Sequence, residues 1–339
     1  VDLAATFFNA NTIAEIYAAN SNGQLTGDII TTSKIENLGY GYIGLNSRLV
    51  IVGDDPASVA SCNLRKALST ILAVHRKSAN ESYYGLDGAS VLEYPIIHSS
   101  WASPQPGDPG YREAFSVDVN GDPIYTPGMT QSQKVAAAQQ AALGFFEAAG
   151  CLVSNGIVVA PPTGATLTYE IIVPGGGLGN HPAYSLAVAA QETLSEIGMT
   201  LTINDPPDAN VLWDALDSGT QELWTAAWGS IIDPDLFQVY HSSNTFDQPD
   251  GTHSNHYYIQ DQALDVLIMQ ARSSDDQALR KQLLQQAFDI IMDWGAEIPN
   301  YCRNNFVLFS SQRINTSTIT PDITPFWSWQ NDIEDMSMK

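Results

Sequence analysis

Apolar and polar positions are patterned most clearly in the middle of the chain, where strands and helices are predicted in turn. The segment LTYEIIV (167–173) is rich in β-branched residues and predicts a strand. A glycine-rich loop and the helix HPAYSLAVAAQETLSEI follow, and Gly198 ends that helix. A β-α-β-α-β order is completed by the strand MTLTIND, the shorter helix ANVLWDALDSG and the strand QELWTAAW. This order predicts a parallel sheet with right-handed crossovers, in which ligands bind at the strand ends.

Further helices flank this unit. The segment NLRKALSTILAVHR carries apolar residues at helical spacing. Capping side chains are expected at the starts of three other helices, and the candidates are Thr12 with Glu15, Ser132, and Ser274 with Gln277. A long irregular region spans about 88–131. The strand-like segments YGYIGLN (40–46) and NNFVLFSS (304–311) are expected to lie outside the central unit.

The amino-acid composition limits the kinds of molecule that the chain is expected to bind. The 339 residues include 37 Asp and Glu against 14 Lys and Arg, which gives a net charge of −23. A nucleic-acid partner is excluded because phosphate binding needs clustered basic residues. No apolar run approaches the roughly 20 residues of a membrane-spanning helix. The three cysteines are far apart and are expected to be isolated buried thiols rather than metal ligands.

Several candidate motifs favour ordinary structure over chemistry. The loop PGGGLGN has Asn180 where a dinucleotide fingerprint needs glycine, so a tight turn is favoured. The two histidines of HSNH (253–256) lack a helix and a carboxylate partner, so no metal is expected. HSSW and YHSSN place His beside Ser, but catalytic triads are built from distant positions. Asp233 and Asp235 flank a proline turn. No catalytic residue, metal or cofactor is therefore predicted, and the chain is predicted not to be an enzyme.

Trp228 is a stronger candidate for ligand contact. It ends the strand QELWTAAW, where the chain turns into Gly-Ser and an Asp-Pro turn. An indole at a strand end can stack on a ligand while neighbouring backbone groups pair with it. The alternative is that Trp224 and Trp228 are both core residues. The position at the strand end favours a cleft.

The order of these segments resembles the C-terminal part of the family 5 solute-binding proteins of ABC transporters, the oligopeptide and dipeptide binders. The matching segments run in sequence: VDLA before IGLN, LRKAL, FFEAAG, AAWGSIIDPDLFQVYHSSN, SNHYYIQDQALDVLIMQAR and EIPNYCRNN. Each segment alone is a weak match, but six in order across nearly the whole chain are specific.

The resemblance implies an α/β fold, namely a periplasmic-binding-protein-like (type II) lobe with a parallel-rich mixed sheet flanked by helices, plus remnants of the other lobe. Family members carry a further N-terminal section with a lipoprotein signal, so the chain is expected to be a fragment. Residues 1–58 would be a remnant of the hinge-proximal lobe. Residues 59–305 would be the second, ligand-binding lobe, and 306–339 the return segment to the hinge-proximal lobe.

The function implied by the resemblance is capture of a peptide or other small solute outside the cytoplasm and its delivery to ABC permease subunits in the membrane. A cell-surface hydrolase or an adhesive protein acting on wall peptides or glycans is the alternative. One departure concerns the peptide amine, because Ile231 stands where the family has its amine-holding Asp. The predicted ligand-binding residues are Trp228, Ala227, Gly229, Asp233, Asn46 and Tyr240.

Overall fold

The computed structural model describes residues 3–6, 9–321 and 323–339, which form helices around one branched eight-stranded sheet, with a separate two-stranded sheet beside them. Its strands are β1 (Leu3–Thr6), β2 (Ile30–Glu36), β3 (Gly39–Leu45), β4 (Ala89–Val91), β5 (Leu152–Ser154), β6 (Ile157–Ala160), β7 (Thr168–Ile172), β8 (Thr200–Asn204), β9 (Leu223–Gly229) and β10 (Glu297–Ser310). Its helices are α1 (Ala10–Ala19), α2 (Val59–Val74), α3 (Arg76–Tyr84), α4 (Gln131–Ala148), α5 (Tyr184–Glu196), α6 (Asn210–Asp217), α7 (Phe237–Tyr240), α8 (Gln262–Ser273) and α9 (Gln277–Trp294).

The eight-stranded sheet, to which β5 and β6 do not belong, is mixed as predicted, but most of its strand pairs are antiparallel where a parallel-rich sheet was expected. Its main path runs β1-β10-β3-β9-β7-β8, with β2 and β4 also paired to β10. Strand β7 is parallel to both β8 and β9, while β3 is antiparallel to β9 and β10. The predicted β-α-β-α-β unit is therefore confirmed as β7-α5-β8-α6-β9. Helix α5 ends before Gly198, whose φ of +87° suits glycine.

The prediction that 40–46 lies outside the central unit is wrong. Strand β3 pairs with β9 along its whole length, from Gly39 opposite Gly229 to Leu45 opposite Leu223. Every residue of β3 is buried. Its glycines leave room for aromatic rings of the neighbouring strands, since a Cβ on Gly44 would lie 2.3 Å from the Trp224 ring. Glycines weaken the strand signal in a sequence, which hid this central position.

The predicted starts of three helices differ from the structure by a few residues. In each case a nearby side chain makes the capping hydrogen bond in place of the expected one. The observed caps are Asn9, Thr130 and Asp276, where Thr12, Ser132 and Ser274 were expected. Several residues with capping oxygens lie close together at each start, and the one whose oxygen reaches a free backbone N–H sets the boundary.

Strand β10 joins two regions of the sheet. Strands β2 and β3 follow one another along one side of β10, with Glu36 opposite Asn304 and Gly41 opposite Tyr301. Strands β4 and β1 lie along its other side. Where the pairing passes from β2 to β3, the Cys302 thiol donates to the carbonyl of Asn37 at 3.3 Å. One long antiparallel ribbon therefore runs through both regions.

Apolar side chains cover both faces of the sheet. On β3, Ile43 and Leu45 join a core formed with α2, α4 and α5. Tyr40 and Tyr42 alternate to the opposite face, where they pack with Trp224 and with residues of α8 and α9. This second face is rich in aromatic residues. It is the face on which the candidate site lies.

Two buried arginines fix the loops around the sheet. The Arg65 guanidinium donates to the carbonyls of Trp294 and Val50. The Arg76 guanidinium donates to the carbonyls of Leu92 and Pro299 and forms an ion pair with Glu93 at 2.9 Å. These bonds hold the start of the long irregular region, at 92–93, against β10.

Two other predictions concern the three cysteines and the possibility of a membrane-spanning helix. Cys62, Cys151 and Cys302 are all free, and the last two are buried, but the prediction of a buried thiol is wrong for Cys62, which is partly exposed at the start of α2. In the described ranges, no helix combines the length and the apolar character that crossing a membrane would require.

Gly44→Ala is expected to lower the free energy of unfolding by about 1–3 kcal/mol, because the added Cβ would overlap the fully buried Trp224 ring. Urea denaturation measures the change. Gly144→Ala in α4 is the control, since its nearest neighbour would lie 3.6 Å away, and a gain of about 0.5–1 kcal/mol is expected there. Similar losses in both variants would contradict the close packing of β3 against β9.

Candidate solute-binding site

The last residues of β9 have one edge without a partner strand among the described residues. The ladder between β7 and β9 stops at Trp224, while the ladder with β3 continues to Gly229. On the β3 side, the Ser230 N–H donates to the carbonyl of Leu38 and the Glu222 carbonyl accepts from Asn46. Backbone groups alternate along a strand, so those of Ala227 and Gly229 point to the open edge. Both residues are exposed.

A pocket lies beside this edge. It has a volume of about 740 Å³, including its open mouth. One wall comes from the segment after β9 and from α7, and the other comes from residues 95–100. The lining side chains are mostly apolar, and they include Ile96, Ile97, Trp228, Ile231, Leu236, Val239, Tyr40 and Tyr240. The structure therefore brings three of the predicted residues, Trp228, Gly229 and Tyr240, into one cavity.

Trp228 is held rigidly at the mouth of this pocket. Its ring stacks on Tyr42, with centroids 5.9 Å apart and planes 3° apart. Its Nε1 donates a hydrogen bond to the Tyr257 hydroxyl at 3.2 Å. The indole is partly buried. A fixed and partly exposed indole can receive a ligand group without losing much conformational entropy.

A buried carboxylate lies behind the pocket. Glu297, at the start of β10, is fully buried, and its Oε2 accepts from the Tyr240 hydroxyl at 2.6 Å. Its Oε1 accepts from the Tyr40 hydroxyl at 3.3 Å. Burial raises the pKa of Glu297 from its ordinary 4.5 to about 7, against the opposing effect of hydrogen bonds from Tyr240, Tyr257 and Tyr40.

The acidic side chains after β9 already form ion pairs with arginines of the protein. Asp233 pairs with Arg280 at 2.8 Å, and its side chain is 67% exposed. Asp235, which lines the pocket, pairs with Arg272 at 3.1 Å. A carboxylate held by a guanidinium attracts a ligand ammonium weakly, because the arginine charge opposes the approach. Ile231, which also lines the pocket, contributes an apolar surface.

The structure does not bring Asn46 to this pocket. Asn46 follows β3 at the end of the ladder where β9 begins, beside Glu222. Trp228 lies six residues further along β9, roughly 20 Å away in an extended strand. The Asn46 side chain is 1% exposed, and its Oδ1 accepts from the N–H of Arg48 at 3.0 Å. This geometry orders the turn after β3.

The glycine-rich loop holds a carboxylate of the protein itself. Asp205, just after β8, accepts hydrogen bonds from the N–H groups of Gly175, Gly177 and Gly179 at 2.7, 3.1 and 2.7 Å. Such converging N–H groups form an anion-binding turn. Here the turn is occupied within the chain, which agrees with its interpretation as a structural turn.

The histidine and serine pairs do not form a catalytic relay. His98 Nδ1 lies 3.0 Å from a Glu36 oxygen. His241 Nδ1 lies 2.9 Å from Ser243 Oγ and 3.8 Å from Asp265 Oδ1. A triad needs the serine and the carboxylate on opposite ring nitrogens, whereas both face Nδ1 here. In the part of the chain that the structure describes, no cluster of three or more His, Cys, Asp or Glu is placed to hold a metal.

Sequence reasoning missed Glu297, Tyr257 and the segment 95–100. These residues come from distant parts of the chain and converge only in the fold. A signal for Glu297 was available, because it is a single acidic residue between Ala296 and Ile298 at the start of a buried strand. Acidic residues are almost never fully buried without partners, so such a position points to a specific role.

Comparison with known proteins supports the fold. No family model and no curated protein sequence matches the chain. Among solved structures, HbpA2 from Haemophilus parasuis superposes with a TM-score of 0.66 at 19% identity, covering 100% of this chain and 54% of its own. The oligopeptide-binding protein AppA from Bacillus subtilis, in complex with a nonapeptide, gives 0.60 at 18%, covering 100% and 56%.

A third structure is the ABC transporter-associated periplasmic binding protein DppA from Helicobacter pylori, in complex with the peptide STSA. It gives a TM-score of 0.55 at 18% identity, covering 92% of this chain and 49% of its own. The chain therefore spans about half the length of these three proteins. The predicted periplasmic-binding-protein-like α/β fold is confirmed.

The raised pKa of the buried Glu297 carboxyl can be tested through the pH dependence of the free energy of unfolding. Its raised pKa means that the folded protein binds the proton more tightly than the unfolded chain. The associated stability is fully present below about pH 4.5 and is lost as the pH rises through about 7. Relative to Glu297→Gln, the wild type is expected to lose roughly 2.5 kcal/mol between pH 5 and pH 8. Urea denaturation at several pH values measures this, and parallel curves for the two proteins would contradict it.

Proposed function

We propose that the chain is the ligand-binding part of a family 5 solute-binding protein, which captures a peptide or related small solute outside the cytoplasm. The observation that carries this proposal is the open edge of β9 beside an apolar pocket. An extended ligand gains backbone hydrogen bonds from such an edge and selectivity from the neighbouring pocket. The similar structures named above include proteins described with a bound nonapeptide and with a bound peptide, and this supports a peptide-like ligand.

In this proposal the solute lies along β9 as an added strand. The backbone groups of Ala227 and Gly229 pair with the solute, because those groups point away from β3. Trp228 packs on it, and Tyr240 and Tyr40 form the base of the pocket that receives one of its side groups. Backbone pairing gives affinity without reading side chains, which suits an importer of broad specificity.

The charges around the pocket support an uncharged group at this position. Asp233 and Asp235 are each paired with an arginine, and Ile231 supplies no charge. A buried ammonium without a free carboxylate partner would be costly. The solute therefore presents no free amine to this part of the site, and Asp233 remains bound to Arg280.

The proposed organisation follows from the same function. Residues 59–305 form the ligand-binding lobe and take β3 into their sheet through its ladder with β9, while the part of 1–58 before β3 and residues 306–339 belong to the lobe beside the hinge. Closure of two lobes around the solute would present it to ABC permease subunits. The long ribbon of β2 and β3 with β10 supports a boundary between β2 and β3 and near residue 303 of β10, because it passes there from one region to the other.

The strand-like pairing can be tested with a blocked hexapeptide of alternating alanine and leucine, carrying an N-methyl group at each position in turn. The losses in affinity are expected to alternate with a period of two residues, because alternate N–H groups of an added strand face β9. Titration followed by NMR, which detects weak binding, gives the affinities. Uniform tolerance of N-methylation would contradict the added strand.

Trp228→Ala serves as the protein-side variant in the same titration, and Gly144→Ala serves as the matched control in a remote helix. Trp228→Ala is expected to weaken binding of the parent peptide roughly tenfold, because aromatic contact area is lost. The second should bind as the wild type does. Equal affinities for all three proteins would place the ligand elsewhere.

The same hexapeptide with a free or an acetylated N terminus tests the charge of the solute. We expect similar or tighter binding of the acetylated form, since no free carboxylate is available for the ammonium. Asp233→Asn should leave this ratio unchanged. A strong preference for the free amine that is lost in Asp233→Asn would show that Asp233 leaves Arg280 to hold the ligand.

A further inference from the structure

Three tyrosines from separate parts of the fold converge on Glu297. Tyr40 lies on β3, Tyr240 ends α7, and Tyr257 lies in the loop before α8. The first two donate hydrogen bonds to the carboxylate, and the hydroxyl of Tyr257 also faces it and stabilises its ionised form. The rings of Tyr240 and Tyr257 stack at 5.5 Å with planes 9° apart. The carboxylate is therefore the shared acceptor of an aromatic cluster.

The described part of the chain places no cation against this carboxylate. Its ionised form is stabilised by phenol hydroxyls alone, and the titratable groups that face it are Tyr40, Tyr42, Tyr240 and Tyr257. Well-packed apolar side chains often serve stability better than a buried charge. A buried charge without a counter-ion is thus poorly explained by stability of the fold.

The cluster connects directly to the pocket. Tyr40 and Tyr240 line its wall, and Tyr257 accepts the hydrogen bond that fixes the Trp228 indole. Tyr42, which faces the same carboxylate, supplies the ring on which Trp228 stacks. Tyr40 and Tyr240 therefore join Glu297 directly to the pocket wall, and Tyr257 links it to the Trp228 indole.

We propose that Glu297 is a positioning residue, whose charged carboxylate holds the aromatic wall of the pocket in its binding arrangement. This inference rests on the solute-binding role proposed above. It identifies a group that touches no ligand but sets the geometry of those that do.

The charge state of Glu297 then controls the affinity of the site. The anion accepts hydrogen bonds from the hydroxyls of Tyr40, Tyr240 and Tyr257. Protonation adds a donor to the cluster, so that one tyrosine hydroxyl loses its acceptor and must reorient. Burial raises the pKa of Glu297 to about 7, so this change takes place near neutral pH. The aromatic wall is ordered above that pH and less restrained below it.

The test measures affinity for the acetylated alanine–leucine hexapeptide between pH 5.5 and 8.5. Wild-type affinity is expected to fall roughly five- to tenfold toward the acidic end. Glu297→Gln should bind weakly and independently of pH, because the amide does not ionise and offers fewer acceptor sites. A flat wild-type profile, or the same slope in Glu297→Gln, would overturn the proposal.

Glu222→Gln is the matched control. Glu222 precedes β9 at the end remote from Trp228, is partly buried and has a pKa raised by burial. Its Oε2 accepts from the N–H of Glu170, a bond that the glutamine oxygen can also accept. This variant should keep the wild-type pH profile. Loss of the profile in Glu222→Gln as well would show that the effect does not come from Glu297.

A measurement without ligand separates this inference from the proposed function. The Trp228 fluorescence, taken as the difference between wild type and Trp228→Phe, should change near pH 7 and stay constant in Glu297→Gln. If the hexapeptide binds at no pH, the solute-binding proposal fails for this probe, and the fluorescence alone decides whether Glu297 positions the indole. No transition in the wild type would overturn the positioning role.

A second variant covers the case in which Glu297→Gln does not fold. Tyr240→Phe removes one donor to the carboxylate and keeps the ring in the cluster. The anion loses a stabilising hydrogen bond, so the midpoint of the fluorescence transition should move to higher pH. An unchanged midpoint would contradict the link between the cluster and the indole.

Discussion

The antiparallel ladder between β3 and β9 is the interaction on which the site depends. It uses the backbone groups on one edge of β9 through Gly229, while the ladder with β7 ends five residues earlier. The open edge is the direct result of this unequal pairing. The same ladder brings the aromatic residues of both strands onto one face, where Tyr42 supports Trp228 and Trp224 packs into the space left by Gly44.

Much of the architecture was predictable because it follows from local patterns. The β-branched segments, the helical segments and the Gly198 stop that mark β7, α5, β8, α6 and β9 lie within continuous stretches, and the parallel pairing follows from their order. Trp228 was identified because its position at a strand end is itself a sequence feature. The position of β3 was missed, since five of its seven residues are glycine or tyrosine and the strand shows no regular alternation of polar residues.

The rest of the site was beyond sequence reasoning for a physical reason. Glu297 and its tyrosines are separated by up to 257 positions in the chain, as Tyr40 is from Glu297. Their contact depends on the register of several strands at once, and a single-residue slip would turn each side chain to the other face. The pairing of Asp233 with Arg280 likewise depends on how α9 packs near the turn after β9. Sequence shows which groups are available, while the register decides which of them meet.

The Asp205 carboxylate competes with dissolved anions for the N–H groups of the glycine-rich loop. It is tethered a few ångströms from the three N–H groups, so its effective concentration there is on the order of millimolar or above. A dissolved phosphate or carboxylate would have to displace a competitor that never diffuses away and that already makes all three hydrogen bonds. Because Asp205 occupies its N–H groups, the loop is expected to bind dissolved anions only weakly. This chain can therefore carry three converging glycine N–H groups without sequestering the anions of its surroundings.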